Sequence, residues 1–287
     1  MVEPSAKKKA VEFLKKKYSK GFKVCCSVLN ISRASLYYKS KLDDSEVIKR
    51  LKELAESHPN RGFDTYYARI RREGSKWSRS RVLRVYRELG LVRRQKRRRK
   101  LPEAERKPLL VPKELNSVWS MDFMSDSLVD GRTLRVLNII DDHNRESLLI
   151  EGAISFPSRR VIQGLEQLKE EVGLPKYIRT DNGPEFISKE YKDWCSKNNV
   201  RCVYSEPGKL MQNGFVERFN RTFREDILDA YLFASLGQFH HTAEKWQEDY
   251  NKYHPHKTLK KMSPREYAPR PSKPFGLAQK ALKEVSI

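Results

Sequence analysis

Ile178-Arg179-Thr180-Asp181-Asn182-Gly183-Pro184-Glu185-Phe186 is the stretch from which the fold can be read. Tyr177 to Thr180 has the pattern of a short buried strand, and Asn182-Gly183-Pro184 ends it, because Gly adopts turn conformations and Pro cannot continue a ladder. Asp181 is therefore expected at a strand's C-terminal end, the edge at which open sheets flanked by helices bind ligands. A gap of 35 residues then leads to Glu217 in Gln212-Asn213-Gly214-Phe215-Val216-Glu217-Arg218-Phe219-Asn220. Phe215, Phe219, Phe223 and Ile227 recur every fourth residue in a run without Gly or Pro, which predicts a helix with one face on the sheet. At about 100° per residue, Asn213, Glu217 and Arg224 share the opposite face.

A third acid, Asp122, lies upstream in Val118-Trp119-Ser120-Met121-Asp122-Phe123, a second strand-like run. A carboxylate among such neighbours is costly to bury unless something pairs with it. Asp122, Asp181 and Glu217 on three separate elements suggest a site for a hard cation. Mg²⁺ prefers oxygen ligands, keeps several waters, and is held by a few carboxylates together with substrate phosphates. Two such ions, with Mn²⁺ as an acceptable substitute, would serve an in-line displacement at phosphorus, so the implied chemistry is phosphodiester cleavage or transfer. Among the competing acids Asp126, Asp141, Asp142 and Glu185, Asp141 and Asp142 read as turn residues. Glu185, four after Asp181, takes a secondary role in orienting a metal-bound water or the phosphodiester substrate, with Asn182 beside it.

These residues carry a resemblance to the insertion-sequence transposases of the retroviral-integrase superfamily, specifically the catalytic second-frame protein of elements with two overlapping frames. The resemblance runs from about residue 22 to about residue 268. Asp122, Asp181 and Glu217 match that family's acidic triad, including the 35-residue gap. Arg224 matches its basic residue on the same helix face near the DNA, and Arg218, Arg221, Asn213 and Lys209 are further candidates for DNA contact. Pro207-Gly208-Lys209 and Gln212-Asn213-Gly214 also fit. Three positions depart from the pattern: Leu210 where Pro is usual, His254 where Arg is usual, and Lys260 where Gly is usual. The resemblance implies a ribonuclease-H-like fold, a mixed α/β architecture with a five-stranded sheet and flanking helices. It also implies that the Asp122 and Asp181 strands are neighbours with Glu217 above them.

The rest of the chain agrees with a nucleic-acid enzyme. Hydrophobic residues make up 38% of 287, enough for a real core, while a formal net charge of +22 calls for a polyanionic partner. Residues 1–100 carry 30 Lys or Arg against 10 Asp or Glu, and residues 101–287 carry 29 against 27, so the excess charge is N-terminal. Residues 8–39 outline short helices, with Ser32 capping one that starts at Arg33; a helix-turn-helix and a small helical packing unit fit them equally. Residues 45–90 repeat the theme more strongly. His58-Pro59-Asn60-Arg61-Gly62 breaks the first helix, Ser78 or Ser80 caps the third, and Gly90 stops it. Arg79, Arg81, Arg84 and Arg87 line that third helix's outer face, so this segment resembles the family's helix-turn-helix module.

Arg93 to Lys100 places seven cations in eight residues, Arg97, Arg98 and Arg99 among them. Such a tail is disordered alone and phosphate-bound in a complex, with affinity falling roughly 10³- to 10⁵-fold between 50 and 200 mM salt if six to ten phosphates are neutralised. Five segments follow: a helix-turn-helix-like region at 1–42, a helix-turn-helix module at 43–92, a basic, Pro-containing linker at 93–115, an integrase-type core with C-terminal helices at 116–270, and a tail at 271–287. Cys25, Cys26, Cys195 and Cys202 have no zinc-type spacing and read as free thiols. No apolar run approaches transmembrane length and the N-terminus is not a secretory signal, so a cytoplasmic, nucleoid-associated location with no membrane contact is expected.

The combined reading is a metal-dependent transposase acting on double-stranded DNA, both element terminal repeats and target, as a homo-oligomer. Two other readings share these features: a metal-dependent nuclease of the same fold, and a catalytically silent DNA-binding regulator or partner of a fused upstream-frame product.

Overall fold

A computed structural model of the chain describes residues 4–18, 22–37, 43–92, 111–205 and 213–270. Lys209, Leu210, Gln212, the cations at 93–100 and the tail at 271–287 lie outside the described residues. The chain divides into two compact units, residues 1–47 and 48–287. In the first, α1 (Pro4–Tyr18), α2 (Phe22–Val28) and α3 (Arg33–Tyr37) bury Val11, Cys25 and Cys26. Ser32 caps α3 as its position suggested, its hydroxyl accepting from the Ser35 amide at 3.0 Å. Phe13 is 60% exposed and lies beneath the Lys17 ammonium.

Helix α4 (Ser45–Ser57) crosses the division, and α5 (Phe63–Arg72) and α6 (Arg79–Glu88) follow it in the second unit. Their apolar faces meet around Leu51, Leu54, Tyr66, Ile70, Val82, Val85 and Tyr86, all buried. Ser78 rather than Ser80 caps α6, accepting from the Arg81 amide. Gly90 ends the module at φ +67°, a left-handed conformation that only Gly reaches without strain.

Beyond the linker the expected sheet is present, with strands β1 (Val118–Ser127), β2 (Thr133–Asp141), β3 (Ser147–Ala153), β4 (Tyr177–Thr180) and β5 (Arg201–Tyr204). Their order is β3-β2-β1-β4-β5, with β1–β2 and β2–β3 antiparallel and β1–β4 and β4–β5 parallel. A hairpin turn at Asp130-Gly131 joins β1 to β2, with Gly131 at φ +83°. Alternation along β1 and β2 divides the core. Trp119, Met121, Leu137 and Ile139 face α7 (Ser158–Val172), α8 (Pro184–Ile187) and α9 (Lys189–Lys197). Met124, Val136 and Ile140 face α10 (Gly214–Phe223) and α11 (Leu236–Tyr253), which bring Val216, Phe219, Phe223, Phe239 and Trp246. A short α12 (Pro264–Tyr267) closes the described chain behind a capping box at Ser263 and Glu266.

Helix α11 lies so close to β3 that a Cβ on Gly152 would fall 2.6 Å from Phe239 Cδ1 and 3.2 Å from Leu134 Cδ1. Phe239 is itself locked edge-on against Phe223 and Phe233, so it cannot yield. Gly152→Ala is expected to destabilise the fold by about 1–3 kcal/mol, measurable as a lower denaturant midpoint with an unchanged slope.

Candidate active site

The β1–β4 register pairs Val118 with Tyr177 and Ser120 with Arg179. Continued by two residues, it sets Asp181 level with Asp122, one position past the end of β4. Asp122 shares the sheet face of Ser120 and Met124, and Asp181 shares that of Arg179, opposite Ile178. Both carboxylates thus stand on the face that α10 covers. Val216, Phe219 and Phe223 seat that helix, and Glu217 is left on its open side.

Asp122 is half-buried. Its Oδ1 accepts from the Phe123 amide at 2.9 Å, and its Oδ2 accepts from Asn220 Nδ2 at 2.8 Å. Its pKa is pushed up to about 6, chiefly by burial and then by the negative charges of Asp181 and Glu217, against these two hydrogen bonds. Asp181 is exposed, with Oδ1 accepting from the Gly183 amide at 3.0 Å. Glu217 has an open surface, yet the adjacent protein partly desolvates its carboxylate and raises its pKa, while Arg221 one turn on opposes the rise. Among the described residues no three His, Cys, Asp or Glu side chains are drawn together tightly enough to enclose an ion.

Beneath the triad, two residues further into the sheet, Arg179 Nη1 meets Asp142 at 2.9 Å. Asp141 and Asp142 do occupy the β2–β3 turn, but as fully buried anchors rather than solvated turn residues. Asp141 accepts from the Asn116 and His143 amides and pairs with Arg270. Asp142, raised to about 6 by burial, is countered by Ser120, Arg179 and Arg145. Arg145, held at φ +65°, lays its guanidinium 3.6 Å from the centre of the Phe215 ring, two residues before Glu217.

Several expected contacts have other partners. Glu185 is engaged by Arg135 of β2 at 2.6 Å, with that guanidinium over the Phe123 ring, so its carboxylate braces α8. Asn182 donates to the Ser205 carbonyl, tying the ends of β4 and β5. Asn213 is not on an open face with Glu217: it is buried at the start of α10 and donates to the Met121 carbonyl at 3.2 Å. Arg224 donates to the Ser125 carbonyl at 2.9 Å. Arg218 and Arg221 are exposed beside Glu217. On α6, Arg79 pairs with Asp64 above Phe63, and Arg84 pairs with Glu88. Both are surface pairs of small worth, open to exchange for phosphate. His254 and His256 pack against Tyr250 and against each other. Lys260, standing where the family pattern has Gly, adopts φ +54°.

Asn220 and Asn138 join Asp122 through hydrogen bonds that no motif in the sequence spells out. Asn220 was visible within the Glu217 motif. Asn138, an amide in the otherwise apolar run Val136 to Ile140, was a signal by itself, since a buried amide needs a partner.

The helical module sits against this core. Arg61 pairs with Asp226, which also accepts from Trp246 Nε1 at 2.8 Å. Asn60 donates to the Glu225 carbonyl, Arg69 pairs with Asp249, and Arg72 joins Glu266 and the carbonyls of Tyr253 and Lys261. Glu225 and Asp226 belong to a π-helical turn, Arg224–Leu228, that directly continues α10. Such turns are frequent at functional sites.

Two integrase core domain families match the chain, at residues 112–209 and 198–264, and an HTH-like domain family matches residues 41–99. The chain is 35% identical over 245 residues to the insertion element IS407 uncharacterized 31.7 kDa protein of Burkholderia multivorans, spanning 85% of this chain and 88% of the relative. It is 34% identical over 219 residues to the insertion element IS476 uncharacterized 39.2 kDa protein of Xanthomonas euvesicatoria, spanning 76% of this chain and 63% of that one. A chain of the simian T-cell lymphotropic virus intasome, solved in complex with the PP2A regulatory subunit B56 gamma, aligns with 81% of this chain and 78% of its own. That alignment has a TM-score of 0.48 and 16% identity. No helix among the described residues is long and apolar enough to cross a membrane. The chain belongs to the insertion-element transposases of the retroviral-integrase superfamily, with an HTH-like domain ahead of an integrase core.

Proposed function

We propose that this transposase cuts and joins DNA at the ends of its element through Asp122, Asp181 and Glu217, which hold two Mg²⁺ ions, with Mn²⁺ able to replace them. The observation that carries the reading is Asp122, a half-buried carboxylate whose pKa rises to about 6 under burial and the charges of Asp181 and Glu217. Such an accumulation of negative charge is costly unless a cation joins it. The fit is one of chemistry: oxygen donors with unused lone pairs, in an open arrangement suited to an ion that takes its remaining ligands from water and phosphate. When bound, the metal would activate the attacking oxygen and stabilise the leaving one in an in-line displacement at phosphorus.

The protein's own residues supply position and charge. The β1–β4 register and the negative charges of Asp181 and Glu217 felt at Asp122 support one shared site, with Glu217 on the open side of α10. Arg221 favours the ionised form of Glu217. Arg218, Arg221 and Arg224 offer cations to phosphates near the cut, while α6 and the basic linker at 93–115 hold the terminal repeat. Water attacks first and frees a 3′-hydroxyl at the element end; that hydroxyl then attacks a target phosphodiester, forming one P–O bond as another breaks. Boundaries at 42, 92, 115 and 270 follow from this division of labour, and a homo-oligomer brings two ends together.

The test is a labelled duplex carrying the element's terminal repeats, incubated with the full chain in Mg²⁺ or EDTA beside Glu217→Gln. Cleaved and joined products should form only with wild type and Mg²⁺, while both proteins bind DNA. Products that persist in EDTA or in the variant would refute the assignment. Cleavage without joining would mark a nuclease, and binding without cutting would move catalysis to a fused longer product.

A further inference from the structure

The carboxylate of Asp122 is held by a two-step relay of buried amides. Asn220 Nδ2 donates to Asp122 Oδ2 at 2.8 Å, and Asn138 Nδ2 donates to Asn220 Oδ1 at 2.7 Å. Asn138 is the residue directly across from Asp122 on β2. It is wholly buried, and Asn220 is 7% exposed. The polarity of the relay is dictated from one end. An ionised carboxylate only accepts, so Asn220 must turn its NH₂ toward Asp122, its carbonyl must then face Asn138, and Asn138 must present its own NH₂.

Asn138 occupies a costly position. Its neighbours on that face are Val136, Ile140, Val216 and Phe219, and its second donor contact is the Met124 sulfur at 3.2 Å. Its Oδ1 is buried with no hydrogen-bond partner. An apolar side chain of similar volume would avoid that penalty, so stability does not explain an amide here. Removing the Asn138 donor would strip the Asn220 carbonyl of its partner and leave the Asn220 side chain free to swing its NH₂ away from the Asp122 carboxylate.

We propose that Asn138 is a positioning residue for the metal-binding carboxylate of Asp122, acting through the orientation of the Asn220 amide. The proposal rests on the reading of Asp122 as a metal ligand. Residues that orient a metal ligand typically carry about 10- to 100-fold of metal affinity or activity.

The experiment measures binding of Mn²⁺ alone to the full chain by electron paramagnetic resonance of the free ion, with thermal melting in EDTA as the check on folding. Asn138→Leu should weaken Mn²⁺ binding about 10- to 100-fold with an unchanged or higher melting temperature. It should cause no further loss in an Asn220→Leu background. Asn138→Thr, smaller but with a hydroxyl donor, should retain more affinity than Asn138→Leu and serves if the leucine variant does not fold. Unchanged Mn²⁺ affinity in a folded Asn138 variant, or full additivity with Asn220→Leu, overturns the proposal. If Asp122→Asn also leaves Mn²⁺ affinity intact, the metal-ligand reading fails and takes the proposal with it. If Asp122→Asn loses affinity and the Asn138 variants do not, the proposal alone fails.

Discussion

Asp122→Asn is expected to abolish cleavage and joining by about 10³-fold or more, equivalent to at least about 4 kcal/mol of lost transition-state stabilisation. The same change should make the metal-free protein more stable at neutral pH. The folded-state pKa of Asp122 is about 6, against an ordinary value of 3.8. Between these values the folded state binds more protons than the unfolded state, so stability falls as pH rises through that window and stays reduced above it. The deficit is on the order of 2–3 kcal/mol. An amide removes it but offers one acceptor where the carboxylate offers two, to Phe123 and Asn220, which costs about 1 kcal/mol. The net gain is on the order of 1–2 kcal/mol. Denaturant melts in EDTA should therefore show the variant gaining on wild type from pH 4 to about 6 and holding its lead at pH 7.5. A variant no more stable than wild type at pH 7.5 would contradict the account of Asp122.

Arg61→Leu is expected to destabilise the protein by about 3–5 kcal/mol, because it leaves the Asp226 carboxylate buried without its cation. The side chains of Arg61 and Asp226 are only 12% and 8% exposed, and this pair joins the helical module to the π-helical turn that continues the Glu217 helix. Asp226→Leu alone should cost a similar amount by stranding the guanidinium. The double substitution should recover most of the loss, since a buried pair replaced by apolar groups is often neutral. A thermodynamic cycle from urea melts checks this. Additive losses would mean that the ion pair does not couple module and core. Because the turn follows directly from α10, the single variants should also lower catalysis while leaving Asp122 and Asp181 untouched.

Local rules made much of the architecture legible. Gly183 and Pro184 announced the end of β4, and the four-residue spacing of Phe215, Phe219 and Phe223 announced α10. What remained hidden depends on contacts between distant segments. Glu185 could be read as a spare acid only because Arg135, 50 residues upstream, gave no sign that it would claim the carboxylate. Asn213 falls on the Glu217 face of an ideal helix, yet it lies at the helix start, where the backbone leaves ideal geometry and turns its amide toward β1. Asp141 and Asp142 have turn chemistry, but Arg179 and Arg270 convert them into buried anchors. The docking of the helical module through Arg61, Arg69 and Arg72 was concealed for the same reason, since on sequence alone these arginines belong to a basic, DNA-facing segment.

On the proposed function, Asp122, Asp181 and Glu217 hold one metal centre. The most direct measurement is anomalous diffraction from crystals of the full chain with Mn²⁺ and a duplex bearing the element end. Manganese peaks should appear, coordinated by the carboxylates of Asp122, Asp181 and Glu217 and by a phosphate at the element's 3′ end, and should be lost in Asp122→Asn. Manganese bound elsewhere, or at this site without oxygen from Asp122, would contradict it.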